Sequence, residues 1–153
     1  MQYYFLIGYK WRSLDIWGEE VYRIINNIDI LFLNKKEALR ISRENNCEKA
    51  IEKLSKFVDK VVIKMGKEGY LAKINNKFYK GFCINKQNNN FKDVTGAGDN
   101  FNAGFIYGFL NNFDINKTLE FANLCGEKSI EFWGGVGPEE KFKKIKIIAN
   151  DYL

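Results

Sequence analysis

The stretch Asp93-Val94-Thr95-Gly96-Ala97-Gly98-Asp99-Asn100-Phe101-Asn102-Ala103-Gly104-Phe105 holds the residues whose types and spacing suit chemistry. Two glycines flank Ala97 just ahead of an apolar segment of helical period. Glycine accepts the positive-φ backbone that turns successive N–H groups toward one point. A helix start adds its own unpaired N–H groups and the positive end of its dipole. Together these make a concave site for an anion. Asp99 falls in the first turn of the predicted helix. A carboxylate there has a plain explanation: it caps the helix or complements the dipole. No Lys-Ser or Lys-Thr follows the glycines, so this is not a Walker A loop.

Taken whole, DVTGAGDNFNAGF closely resembles the second signature of the ribokinase/PfkB carbohydrate kinases, whose core reads D-T-x-G-A-G-D-x-F-x-A-G-F. Val94 alone departs, standing where that pattern usually has Thr. The resemblance implies an ATP-dependent kinase that phosphorylates a hydroxyl of a small carbohydrate, a sugar or sugar acid. It implies that Asp99 meets the substrate and takes the acceptor proton as the hydroxyl attacks the γ-phosphate. It also implies that the backbone N–H groups of Gly96, Ala97 and Gly98 hold the charge on the transferred group, with Gly98 against the nucleotide as well. Phosphoryl transfer depends mainly on positioning and charge stabilisation, which such a loop can supply. Ala103 and Gly104, being small, are expected to let the helix lie close to a neighbour.

Further segments resemble the same family. Asn34-Lys35-Lys36-Glu37 is similar to its N-x-x-E motif, which implies Asn34 beside the nucleotide phosphates and Glu37 reaching magnesium through water. Magnesium keeps most of its waters, so such indirect holding is chemically sound. The same four residues also spell a helix capping pattern. Lys64-Met65-Gly66-Lys67-Glu68-Gly69 resembles the strand–G-x-x-G segment that lines the nucleotide, and it equally reads as a turn into a hairpin. Asn123 matches the Asn of the family's late helix near the nucleotide, although a helical Asn can be purely structural. Many members bind a monovalent cation beside the anion site. The matching positions are Asp93, Thr95, Ser129, Phe132 and Gly134, which makes potassium a candidate second ion; Asp93 can instead hold the loop by hydrogen bonds. Arg12 and Trp17 faintly resemble a D-x-N-x-R-x-x-L-W stretch near the sugar. Gly8 and Lys10 replace its Asp and Asn, and the Arg–Trp spacing is one residue too long. Arg12 is thus a candidate substrate contact or a plain surface arginine.

These motifs need elements to carry them. Tyr3 to Ile7 reads as a buried central strand, and Glu19 to Ile25 as a helix face. Asp29 to Leu33 forms a second apolar run, followed by helices over Lys35–Arg43 and Cys47–Val58. Lys60 to Met65 is the clearest strand, β-branched in its centre. Tyr70–Ile74 and Lys77–Ile84 form a predicted hairpin about Asn75-Asn76, ahead of an Asn-rich loop over Asn85–Asn90. Helices are expected over Gly98–Leu110, Ile115–Phe132 and Glu139–Ile148, the last two parted by Gly134-Gly135-Val136-Gly137-Pro138. Strands alternating with helices argue for an α/β layered domain. With the resemblance, the expectation is a three-layer ribokinase-like (Rossmann-like) sheet flanked by helices, one partial domain over 1–153.

Composition narrows the function classes. The chain has 153 residues and no histidine, which excludes Ser-His-Asp and Cys-His catalysis. Three widely spaced cysteines, Cys47, Cys83 and Cys125, form no CxxC pair, so a zinc site is not expected and a reducing cytoplasm is. The net charge of +5 comes from dispersed lysines, with one denser run at Lys141–Lys146 that fits a helix face. No nucleic-acid partner is expected from it. No apolar run approaches the roughly 20 residues that span a bilayer, and the first residues do not read as a signal peptide.

The resemblance covers Tyr3 to about Glu140 but only half of a family member. Such kinases are around twice this length. The half that supplies further strands, most sugar contacts and a β lid is absent from this sequence. Three readings stay open: a piece of a larger kinase, a truncated nucleotide-binding remnant, or a domain completed by another chain. An uncovered strand edge invites association, so self-association or poor solubility is expected.

Overall fold

The computed structural model describes residues 5–7, 20–83 and 92–134. The expected strand residues Tyr3 and Tyr4, Arg12 and Trp17, Ile84, the loop over Asn85–Asn90, Gly135–Pro138 and the last helix lie outside them. The chain forms two compact units, residues 1–80 and 81–153.

The first unit is built on a sheet of five strands in the order β1-β2-β3-β4-β5. Its strands are β1 (Phe5–Ile7), β2 (Ile30–Asn34), β3 (Lys60–Lys64), β4 (Tyr70–Ile74) and β5 (Lys77–Gly81). β1, β2 and β3 run parallel, and β4 turns antiparallel to β3. Ile30, Leu31, Phe32, Val61, Val62 and Ile63 are all fully buried. Successive strand residues face opposite sides, so both faces of β2 and β3 are shielded from water, as unbroken apolar runs in parallel strands require. On one face Leu31, Leu33, Val61, Ile63 and Leu71 pack with helices α1 (Glu20–Ile25), α2 (Lys35–Ser42) and α3 (Cys47–Leu54) through Val21, Ile25, Ile41, Ile51 and Leu54. The Tyr22 hydroxyl donates to the Ile41 carbonyl at 2.9 Å and ties α1 to α2. β4 and β5 meet at Asn75 and Asn76, both at positive φ (49° and 64°), the backbone a two-residue hairpin needs.

The second unit is dominated by two helices, α4 (Ala97–Leu110) and α5 (Ile115–Ser129). Small residues let them lie close. A Cβ built on Gly104 would come within 2.8 Å of Cys125 Sγ and 3.0 Å of Ala122 Cα. Phe101 and Phe105 are buried on the same helix. Tyr107, Phe113 and Phe121 close the far end as an aromatic cluster with ring centroids 5.7 to 6.0 Å apart. Among the described residues, no helix is long and apolar enough to cross a membrane.

Several expectations are corrected. β1 is an edge of the described sheet, not a central strand, because only β2 pairs with it among the described residues. α3 stops at Leu54, four residues before Val58. Its tail switches to tighter three-residue bonds, with Lys56 N donating to Lys53 O and Phe57 N to Leu54 O, while Val58 stays buried. α5 stops at Ser129 for the same reason, with Glu131 N bonded to Lys128 O and Phe132 N to Ser129 O. β5 ends at Gly81. Gly66 to Glu68 is not a simple turn but a single 3-10 turn. Ala103 is exposed, so of these two small residues only Gly104 faces α5, where Gly108 against Thr118 and Gly126 against Ala97 O add further close approaches between the helices. Cys47 and Cys125 are buried, as small core residues should be, and Cys83 is half-buried; all three are free thiols. Burial pushes the Cys125 thiol up to about 12, which keeps it protonated and inert.

Candidate active site

In the first unit the parallel ladder sets the candidate nucleotide residues side by side. Asn34 ends β2 and pairs in register with Lys64, which ends β3. Ligand sites of open α/β sheets lie at the carboxyl ends of parallel strands, and both motifs emerge there. Asn34 caps α2: its Oδ1 accepts from the Glu37 N–H at 2.9 Å, and Glu37 Oε2 accepts from the Asn34 N–H at 2.8 Å. The capping box is therefore real. It uses Asn34 Oδ1 and one Glu37 oxygen, while the Asn34 Nδ2 amide and the second carboxylate oxygen take no part in it. That second oxygen belongs to a half-buried side chain at the strand end, the kind of carboxylate that can hold a hydrated magnesium ion through water.

The loop after β3 is shaped by its glycines. Gly66 (φ 60°) and Gly69 (φ 88°, ψ −127°) hold backbone that other residues resist. Met65 N donates to Gly69 O at 2.8 Å and closes the loop, leaving Lys67 and Glu68 exposed at its tip. Lys35 Nζ reaches Glu68 Oε1 at 2.7 Å, bridging the start of α2 to this tip. That hydrogen bond and charge raise the Lys35 pKa. At this exposure the ion pair adds little stability, and its contribution is to fix two neighbouring loops against each other. Lys35 was not singled out from the sequence, since its partner lies 33 residues away.

In the second unit the loop ahead of α4 is held from two sides. Gly96 is the N-cap of α4 at φ 78° and has no side chain to cap the helix. No side chain therefore caps the start of α4, and a helix start of this kind suits an outside anion. Ala97 N–H donates to Val94 O at 3.3 Å, a long turn bond. Asp99 sits exposed in the first turn, two residues into the helix from Ala97. Asp93 Oδ1 accepts from Thr95 N at 2.9 Å, and its Oδ2 accepts from Gly134 N at 3.0 Å. Lys92 N donates to Ile130 O at 3.0 Å beside it. The structure thus brings Asp93, Thr95 and Gly134 together. Ser129 and Phe132 lie on the same returning segment, where the Ser129 hydroxyl donates to Gly126 O at 2.8 Å.

The Thr95 hydroxyl and N–H, with the Gly134 N–H, hold the Asp93 carboxyl below its ordinary pKa. A depressed carboxylate pKa adds stability above the unfolded value, and that stability is lost as pH falls through the folded one. The expected result is that the Thr95 and Gly134 amide resonances move together in acid, with a midpoint below the usual ~3.9 of Asp. In Asp93→Ala that titration should vanish. Amides that ignore acid in the parent protein would refute the clasp.

Asn123 is buried on α5. Its Nδ2 donates to Phe82 O at 3.0 Å and to Glu127 Oε1 at 2.8 Å. Glu127 is itself buried and was missed from the sequence, although its spacing from Asn123 puts both on one helix face.

Residues 10–141 match the pfkB family of carbohydrate kinases, and the chain belongs to that family. An uncharacterised sugar kinase of Archaeoglobus fulgidus is 31% identical over 112 residues, covering 73% of this chain and 44% of the relative. A probable sugar kinase of Rhizobium etli superposes with a TM-score of 0.76 at 22% identity, over 85% of this chain and 39% of its own. Arabidopsis thaliana ribokinase, solved with ribose and ATP, gives 0.68 at 23% identity, over 81% and 42%. The fold is therefore ribokinase-like, with a mixed sheet flanked by helices. The chain spans less than half the length of these relatives.

Proposed function

We propose that this chain carries the nucleotide and phosphoryl-transfer half of an ATP-dependent kinase for a hydroxyl of a small sugar or sugar acid. The observation that carries the reading is the uncapped, glycine-led start of α4 with Asp99 exposed in its first turn. The N–H groups of Gly96, Ala97 and Gly98 hold the transferred phosphoryl group, and Ala97 gives up its long bond to Val94 to do so. Asp99 accepts the proton of the acceptor hydroxyl. Asn34, Asn123 and the Lys64–Gly69 segment serve the nucleotide. Glu37 holds magnesium through water, and the ion when bound neutralises phosphate charge. Asp93, Thr95, Ser129, Phe132 and Gly134 form the seat of a potassium ion, supported by the convergence of Asp93, Thr95 and Gly134. The chain works in the cytoplasm, as a homo-oligomer or completed by a second chain.

A second reading takes the residues present, which cover 44% of the Archaeoglobus relative and 39% of the Rhizobium one, as insufficient for turnover by themselves. The chain is then a nucleotide-binding remnant, or a module that turns over only with a partner. Calorimetric titration with Mg-ATP, followed by ADP release across a panel of sugars and sugar acids, separates the two. Binding with turnover supports the kinase, binding without turnover supports the remnant, and absence of binding removes both.

A further inference from the structure

We infer that Glu127 is a positioning residue that fixes which end of the Asn123 amide faces the nucleotide, and so selects a base carrying an exocyclic amino group. The inference rests on the proposal that Asn123 serves the nucleotide. Its new content comes from the two bonds on Asn123. A backbone carbonyl and a carboxylate can only accept hydrogen bonds. Phe82 O and Glu127 Oε1 both lie within 3.0 Å of one end of the amide, so that end must be the NH2 group. Both of its N–H donors are then committed. The group left to Asn123 for a ligand is Oδ1, which can only accept.

Glu127 is the half of this arrangement that chemistry can switch. The Phe82 carbonyl belongs to the backbone and is always there, but it engages only one donor. With the carboxylate gone, the Phe82 carbonyl alone opposes a turn of the amide, and the hold on its orientation is weakened. With it present, turning the oxygen inward would set Oδ1 against two acceptors at hydrogen-bond distance in a buried place, where an unmet polar group is expensive. The pair therefore acts as a polarity lock. An acceptor facing the base matches a 6-aminopurine, which donates at that position. It opposes a 6-oxopurine, which presents an oxygen there and leaves two acceptors facing each other.

The test is binding of Mg-ATP against Mg-ITP, which differ only in a 6-amino or 6-oxo group, to the parent chain, Glu127→Gln, Glu127→Leu and Asn123→Ala. The parent should prefer ATP by about tenfold, the usual scale of one well-placed hydrogen bond. Glu127→Gln keeps a carbonyl acceptor for Nδ2 and should keep the preference. Glu127→Leu keeps volume without an acceptor and should narrow the preference, with only the Phe82 carbonyl left to oppose the turned amide. Asn123→Ala removes the oxygen itself and should do the same, so the reading stands even if the leucine variant fails to fold. A preference unchanged in Glu127→Leu and Asn123→Ala, or a parent chain that binds ATP and ITP alike, overturns the lock while leaving nucleotide binding in place. Absence of binding to either nucleotide overturns the functional reading and the lock with it.

Discussion

Replacing Asp99 with Asn is expected to leave Mg-ATP affinity close to that of the parent while phosphoryl transfer to an accepted sugar falls by about 10²–10⁴. Asparagine keeps the size and the first-turn position but cannot take a proton. The exposed side chain bears no fold contact that its loss would disturb on the scale of α4, whose packing runs through Phe101, Gly104 and Phe105. A loss in kcat with KM for ATP unchanged marks an interaction made in the transition state. If Asp99 only complemented the helix dipole, the substitution would cost a few tenths of a kcal/mol in stability, roughly, and nothing in turnover. Unchanged turnover in Asp99→Asn therefore removes it from the mechanism.

The largest expected effect on stability belongs to Gly104→Val. The new Cβ would stand 2.8 Å from Cys125 Sγ and 3.0 Å from the Cα of Ala122. A thiol can rotate, but a helix backbone atom yields only if α4 and α5 move apart. Overpacking of this kind costs about 3 kcal/mol. In a chain of this size that corresponds to a fall in Tm of roughly 6–12 °C by thermal unfolding. Ala103→Val is the control: one position earlier on the same helix, exposed, and expected to change Tm by no more than ~2 °C. Equal melting of the two variants would mean that the helices do not approach as closely as Gly104 requires.

The contrast between Ala103 and Gly104 also shows what the sequence could and could not say. Both are small and both sit in the signature, but α4 is apolar nearly all round, from Phe101 to Leu110, so local periodicity does not tell which face meets α5. The glycines and Asp99 of the loop were legible because their chemistry is local: a positive-φ residue, a helix start and a first-turn acid are neighbours in the chain. The capping box at Asn34 and Glu37 was legible for the same reason, three residues apart. The Asp93–Gly134 clasp spans 41 residues, and no local pattern announces it; only the family resemblance placed those positions together. Glu127 lies in no motif, and its meaning depends on Phe82, also 41 residues from Asn123. The ends of α3 and α5 ran too long because apolar spacing continues past the point where four-residue hydrogen bonding stops. β1 was read as central because an apolar run looks alike at the edge and in the middle of a parallel sheet.

The level pairing of Asn34 with Lys64 bears on how the chain can change in length. The route between those two residues passes through α2 and α3, joined at Arg43–Asn46, where Arg43, Asn45 and Asn46 are exposed. Residues inserted there lengthen the route without moving either strand end, because the backbone ladder of β2 and β3 fixes their relative height. The Asn75-Asn76 turn lies toward the opposite end of β3, beside Lys60, and is likewise decoupled. Length drift in a lineage can accumulate at both places while the edge that bears the two motifs stays flush.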